Sequence, residues 1–362
     1  MLKSRKAITG ILCVLVTLAA TFAAMAARAG TTVPNRWGFA YVDVFNGVPD
    51  LARQAGSWTP GPTVSVTTPP GGPTYVRFPQ IASSDGVVHV TAVSQGAHWC
   101  QVLSWGPLGL DLRVAVRCFR PGGFPATVPF TIVFEQSSGL LPAPKAFGYV
   151  HHNGAVIADQ FNSSGAVNTV AAGPVGVWNV VLPGLGSAGR TGGVQVTAVN
   201  PSQAARCKVG GWVSTPAAQT VRVRCHDAAG VPVNSGWTLT YQRERAITGA
   251  ALPPKNFAYT FDVTPANPGP YAPLPPAINY NSQGGVNTVR SAGLGLRLVT
   301  FPNVGVLPDN VQVTAYGPGP EHCNLLAPWN TGGLTATVRD VACYNGSTRV
   351  NRASLVTYTS AR

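Results

Sequence analysis

Charge is scarce in this chain. Asp and Glu number 12 and Lys and Arg 25 in 362 residues. Stable helices draw on long runs of strong helix formers with charged pairs four residues apart, and almost none occur here, so helix is excluded as the main element. The cysteines form no C-x-x-C pair and no close Cys/His set, which leaves no basis for a zinc site. Neither G-x-S-x-G nor H-E-x-x-H is present. Catalysis by paired carboxylates needs two acids at a defined separation, and no acidic pair recurs across the repeats described below. Asp85 and Asp309 come closest, each just before a V-x-V-T-A segment, and read as turn residues at a strand entry. His151-His152 is the one histidine cluster and reads as a solvent-exposed pair. No cofactor is expected.

The N-terminus reads as an address. Lys3, Arg5 and Lys6 precede an uncharged, mostly apolar run from Ala7 to Ala26, and Ala24-Met25-Ala26 and Ala27-Arg28-Ala29 both fit a small-x-small cleavage pattern. Residues 1–29 are therefore expected to be a secretory signal peptide, cut after Ala26 or Ala29. Removing them takes away Lys3, Arg5, Lys6 and Arg28, leaving 21 basic residues against 12 acidic, a charge of +9. It also removes Cys13 and leaves six cysteines, an even number that favours structural disulfides in an oxidising compartment. No later stretch is apolar enough to span a membrane as a helix.

Gly (41) and Pro (32) are abundant and break the chain into short Val/Thr-rich runs, which read as strands and turns. These runs recur. Cys100 and Cys118, Cys207 and Cys225, and Cys323 and Cys343 form pairs 18, 18 and 20 residues apart. Each first Cys is followed by a Trp (Trp105, Trp212, Trp329) and preceded by VHVTAV, VQVTAV or VQVTAY. Each repeat opens on an F-x-Y segment: Phe39-Ala40-Tyr41, Phe147-Gly148-Tyr149 or Phe257-Ala258-Tyr259. The expected plan is an all-β chain of three tandem antiparallel β-sandwich modules, 34–138, 145–245 and 255–362, joined by Pro-bearing linkers. Each module is expected to hold about seven strands, the second of them over NSSGAVNTV (162–170) or NSQGGVNTV (281–289), and one disulfide.

Alternation assigns the faces. Val114, Val116 and Cys118 share one side of their strand, as do Val221, Val223 and Cys225, so the cysteines are expected inside with the valines. Gln195 and Thr197 alternate with Val194 and Val196 and are expected to face solvent, giving sheets wet on one side. Two such sheets pack as a sandwich. Each Cys pair would contribute on the order of 3 kcal/mol by closing its loop.

Two recurrent features are candidates for binding. Trp105, Trp212 and Trp329 can stack on a sugar ring, or can instead pack over the disulfide and close the core. Arg113, Arg117, Arg222, Arg224 and Arg339 fall on the face opposite the valines, where they can meet an anionic polymer or simply keep the surface soluble. Basic residues interleaved with aromatics are too thin for a nucleic-acid surface.

The order F-x-Y, N-S-x-G-x-V, V-x-V-T-A, C-x4-5-W and a second Cys resembles the secreted β-repeat proteins of actinobacteria, a group with no assigned activity. The resemblance implies export and carries over no catalytic residue. The first module departs from it, with SVTTPPGG (65–72) in place of the N-S-x-G segment. The expected function is non-catalytic adhesion or binding to an extracellular polysaccharide or cell-wall polymer, with repeated weak sites gaining avidity. The alternatives are a secreted hydrolase with a site around His151, His152 and Asp159 and a protease inhibitor displaying the segment 101–111.

Overall fold

Val/Thr runs bounded by Gly and Pro become antiparallel strands throughout the computed structural model, which describes residues 35–137, 139, 145–249 and 256–362. The expected signal peptide and linker residues 140–144 and 250–255 lie outside the described residues. The principal strands fall into three sets of eight, with four further two- or three-residue strands beside them. The first set is β1 Arg36–Val42, β2 Gln54–Gly56, β3 Ser65–Thr67, β4 Thr74–Phe78, β5 Val87–Ala92, β6 Trp99–Leu108, β7 Asp111–Arg120 and β8 Phe130–Gln136. The second is β9 Ala146–His152, β10 Ile157–Asn162, β11 Thr169–Ala172, β12 Val177–Pro183, β13 Gly193–Val199, β14 Ala205–Thr215, β15 Ala218–Asp227 and β16 Gly236–Arg243. The third is β17 Phe257–Asp262, β18 Asn279–Asn281, β19 Thr288–Gly293, β20 Leu296–Gly305, β21 Asp309–Ala315, β22 His322–Leu325, β23 Leu334–Asn345 and β24 Ser354–Ser360.

Each set builds the same two sheets. The inner sheets run β2-β1-β8-β5, β10-β9-β16-β13 and β18-β17-β24-β21. The outer sheets run β3-β4-β7-β6, β11-β12-β15-β14 and β19-β20-β23-β22. The sandwich expectation holds, with eight strands where about seven were expected. The difference lies in the N-S-x-G segment, which is not one strand. Asn162 ends β10 and its side chain bonds the Asn168 side chain at 2.8 Å, while the Ser164 amide donates to Asn162 Oδ1 at 2.9 Å. That turn, with Gly165 at φ 82°, carries the chain from the inner to the outer sheet, where β11 begins. Asn281, Asn287 and Gly284 repeat the turn in the third module.

All three cysteine pairs are disulfides: Cys100–Cys118, Cys207–Cys225 and Cys323–Cys343. Each joins directly opposed residues of adjacent strands in the outer sheet. Val114, Val116 and Cys118 sit in one core and Val221, Val223 and Cys225 in another, as alternation predicts.

The modules do not hang as beads. Residues 34–362 form one compact unit, closed by contacts that repeat in order. Val199 makes a parallel bridge to Val102, Tyr316 to Val209 and Val93 to Leu325. The next amide in each case donates to the same carbonyl: Asn200 to Val102 at 2.9 Å, Gly317 to Val209 at 2.9 Å and Ser94 to Leu325 at 2.7 Å. Each V-x-V-T-A strand thus reaches the module before it, and the first reaches the third. A head-to-tail contact that repeats and returns to its start makes a closed ring with pseudo-threefold symmetry.

Ring closure corrects one expectation. Gln195 and Thr197 do face away from their own sandwich core, but they are 3% and 6% exposed. Neighbouring inner sheets cover them. His89 bonds Thr197 Oγ1 at 3.1 Å and Thr240 Oγ1 at 2.8 Å; Gln195 donates to Thr357 Oγ1 at 3.2 Å; Gln312 accepts from Thr91 Oγ1 at 2.9 Å. The centre of the molecule is therefore polar and hydrogen-bonded, the condition under which such groups tolerate burial.

Register also shifts one motif. Phe39 pairs with Val133, opposite His89, whereas Tyr149 and Tyr259 pair with Thr240 and Thr357, opposite Gln195 and Gln312. Phe39, not Tyr41, is thus the counterpart of Tyr149 and Tyr259. Tyr41 corresponds to His151 and Phe261.

Candidate functional site

The three repeated tryptophans lie at the seams of the ring. Trp105 packs on His151 of the second module with ring centroids 4.4 Å apart, Trp212 on Phe261 of the third at 5.5 Å, and Trp329 on Tyr41 of the first at 6.0 Å. These partners are the equivalent opening-strand positions identified by register. Each indole thus belongs to the core that holds its own module's cysteines and also clasps the next module. Trp212 and Trp329 are 2% and 0% exposed, so their faces are taken up by the ring, while Trp105 is only half-buried.

A second convergence lies on the pseudo-threefold axis. Val90, Val196 and Val313, then Thr91, Thr197 and Thr314, then Ala92, Ala198 and Ala315 line a chamber of about 40 Å³. Trp99, Arg206 and His322, each the residue before a first cysteine, line it as well. Each reaches a carbonyl of the next module: Trp99 Nε1 to Ala205 at 3.2 Å, Arg206 Nε to Pro320 at 3.1 Å and His322 Nε2 to Ala97 at 3.1 Å. Arg206 also lies 4.9 Å over the Trp99 ring. Burial and the nearby Arg206 charge push His322 down to about 3, which keeps it neutral. Lys208 bonds Glu321 at 2.8 Å, and both are buried. Burial pulls Lys208 down to about 8 against the carboxylate, and the same pair leaves Glu321 below its ordinary range. These groups hold the ring together, and the chamber admits no more than a few water-sized groups.

The arginine candidates divide. Arg222 is exposed on the outer sheet beside Asn179 at 3.3 Å, and Arg113 and Arg339 are exposed too. Arg117 and Arg224 are half-buried, and Arg224 Nη1 donates to Pro318 of the third module at 3.2 Å. Arg113 belongs to a feature that sequence reasoning missed. Two adjoining hollows of about 370 and 230 Å³ open on the outer sheet of the first module, sharing Ser65 and Arg77. Tyr75, with the Arg113 guanidinium 5.1 Å from its ring, lines the smaller one, and Leu110 lines the larger. The hollows include Ser65 and Thr67 of SVTTPPGG, the stretch in which this module departs from the other two. That departure was the available signal.

Of the residues in the hydrolase expectation, His151 and Asp159 are cross-strand partners, and the remaining titratable groups are dispersed. His152 is buried and stacks on Trp237 at 5.1 Å, which corrects the reading of an exposed histidine pair. His151 is half-buried against Trp105, and burial followed by the His152 charge lowers it to about 4. Asp309 is not a surface turn residue. It is fully buried, accepts from Tyr358 Oη at 3.0 Å and faces Arg53 Nε at 3.7 Å. Asp85 is exposed at its turn, as expected. Glu135 is buried, bonded to Ser137 at 2.8 Å and pushed well up by desolvation. Residues 101–108 are paired as strand, so the displayed loop of the inhibitor reading shrinks to the tip Gly109-Leu110. Among the described residues no group of three or more His, Cys, Asp or Glu could hold a metal ion, and no helix is long and apolar enough to cross a membrane.

Compared with protein-family profiles, curated proteins and solved structures, the chain matches none.

Proposed function

We propose that this is an exported, non-catalytic binding protein whose ligand is an anionic extracellular glycan or cell-surface polymer, held on the outer sheet of the first module. The paired hollows over β3, β4 and β7 carry the reading. They offer an aromatic ring (Tyr75), two hydroxyls (Ser65 and Thr67) and two guanidinium groups, Arg113 over the Tyr75 ring and Arg77, whose Nε is paired with Asp111 at the edge of the larger hollow. A sugar ring takes apolar contact from the aromatic and hydrogen bonds from hydroxyls, and its carboxylate or sulfate pairs with guanidinium. Three disulfides in an all-β fold support an oxidising compartment. The ring supports a scaffold role, because it fixes the first module against the other two. It argues against avidity from Trp212 and Trp329, whose indoles are covered.

The test is binding to acidic and neutral polysaccharides by pull-down, with Arg77→Ala/Arg113→Ala as the variant. The reading expects retention by acidic polymer, release at high salt and loss in the variant. Equal retention of the variant, or no retention by any acidic polymer, overturns it.

A further inference from the structure

Two of the three seams carry a cation on the indole. Arg190 lies 5.6 Å from the Trp212 ring and 5.7 Å from Phe261, and its Nε donates to the Trp212 carbonyl at 3.2 Å. Arg53 lies 5.2 Å from the Trp329 ring and 6.0 Å from Tyr41, and its Nη2 donates to the Trp329 carbonyl at 2.7 Å. The two arginines come from different parts of the repeat. Arg190 precedes β13, whereas Arg53 ends a short 3-10 turn. Both nevertheless arrive on the same aromatic pair and the same carbonyl. A guanidinium over an aromatic face is favourable, more so when partly desolvated.

The first seam has the aromatic pair without the cation. Among the described residues no guanidinium lies over Trp105. Val87 opposes Glu135 as Gly193 opposes Gln242, so Ser84 occupies the place of Arg190. Where the other seams have an arginine, this one gathers acids. Trp105 Nε1 donates to the Asp85 main-chain carbonyl at 3.3 Å. Asp159 Oδ2 accepts from the adjacent Gly86 amide at 2.6 Å, and Asp159 is the cross-strand partner of His151. Burial raises the Asp159 carboxyl, the Gly86 amide opposes this, and the Asp85 charge adds a smaller push in the same upward direction as burial. His151 stays neutral near pH 7 and adds no opposing charge. In a chain with 12 acids, two converge beside the one repeated Trp that remains partly open.

We propose that the first seam binds an external alkylguanidinium group, seated on Trp105 beside Asp85 and Asp159 as Arg190 and Arg53 are seated on Trp212 and Trp329. The donor is a free arginine-like molecule or an arginine side chain of a partner protein. The site uses none of the residues that line the outer-sheet hollows, so it stands or falls apart from the proposed glycan contact.

The full chain, labelled with 15N-tryptophan, is titrated with N-acetylarginine amide, with an acetyl-Gly-Arg-Gly amide peptide and with uncharged N-acetylnorleucine amide, while the Trp105 indole resonance is followed. The proposal expects a saturable shift with a Kd of roughly millimolar size from the guanidinium compounds and none from N-acetylnorleucine amide. Binding to both arginine compounds points to a partner side chain, and binding to the amide alone points to a small molecule. Ser84→Arg, which supplies the missing cation from within, should abolish the shift. Asp85→Asn/Asp159→Asn, a second variant that does not crowd the seam, should weaken binding by about fivefold or more. No saturable shift up to about 100 mM guanidinium compound, or unchanged affinity in both variants, overturns the proposal.

Discussion

Trp329 of the third module packs edge-on against Tyr41 of the first, ring centroids 6.0 Å apart, and so joins the two ends of the described fold. Trp105 with His151 and Trp212 with Phe261 are the same contact at the other seams. The consequences can be measured seam by seam.

Removing a buried indole should cost far more than removing an open one. Trp212→Ala and Trp329→Ala each delete a fully buried side chain and should lower stability by about 3–5 kcal/mol. Trp105→Ala leaves a smaller defect at a half-buried site and should cost about 1–2 kcal/mol. Chemical denaturation of the three variants checks the order. Equal losses would show that the seams do not differ in burial as described.

The first seam should also be acid-sensitive at the molecular centre, as should the third-to-first seam through the buried His322. His89 is fully buried between Thr197 and Thr240, and desolvation lowers it to about 3 from an ordinary 6.5. A lowered imidazole means that the unfolded chain takes up a proton before the folded one. The stability it contributes is therefore complete above about pH 6.5 and falls as pH drops towards 3. The slope is about 1.4 kcal/mol per pH unit for one proton. The buried carboxyls Glu135 and Asp309 are raised and act in the opposite sense, losing stability as pH rises. His89→Gln isolates the imidazole, because Gln195 and Gln312 occupy the equivalent places in the other modules. The variant should fold and show a shallower loss between pH 6 and 4 in denaturation curves. An unchanged slope contradicts the assignment.

The ion pair at the axis should be costly to break and cheap to replace. Lys208 and Glu321 are 4% and 6% exposed at their side chains. Glu321→Gln leaves a buried ammonium without its carboxylate and should cost about 3–5 kcal/mol, whereas Lys208→Met/Glu321→Met should recover most of the loss. Melting curves of the single and double variants decide. A double variant no better than the single would mean that Arg352, which also pairs with Glu321, carries the loss instead.

Much of the fold was legible in the sequence. Cys100–Cys118 and its two counterparts, the inward valines and the sandwich class all follow from spacing and alternation. The ring was not. Alternation tells that Gln195 and Thr197 leave their own core, but it cannot tell water from another module when the partner surface is itself polar. A signal existed: His89, Gln195 and Gln312, like Thr91, Thr197 and Thr314, are uncharged, while the outward face of β15 carries Arg222 and Arg224. A repeated face that avoids charge is a face that another surface covers. The offset of Phe39-Ala40-Tyr41 hid the seam partners for a different reason. Matching the F-x-Y letters placed Tyr41 against Tyr149, whereas backbone register places it against His151. The outer-sheet hollows were harder to read, because Tyr75 and Arg77 on β4 meet Arg113 on β7 only once the sheet is assembled, and the departure of SVTTPPGG from the other modules was the available signal.

The closed ring is the central claim, and small-angle X-ray scattering of the folded chain in solution tests it most directly. A single compact body of this length should show a radius of gyration near about 20 Å, whereas three modules strung in a row, each of about 13 Å, would exceed about 30 Å. The account predicts the smaller value, and the larger one would contradict it.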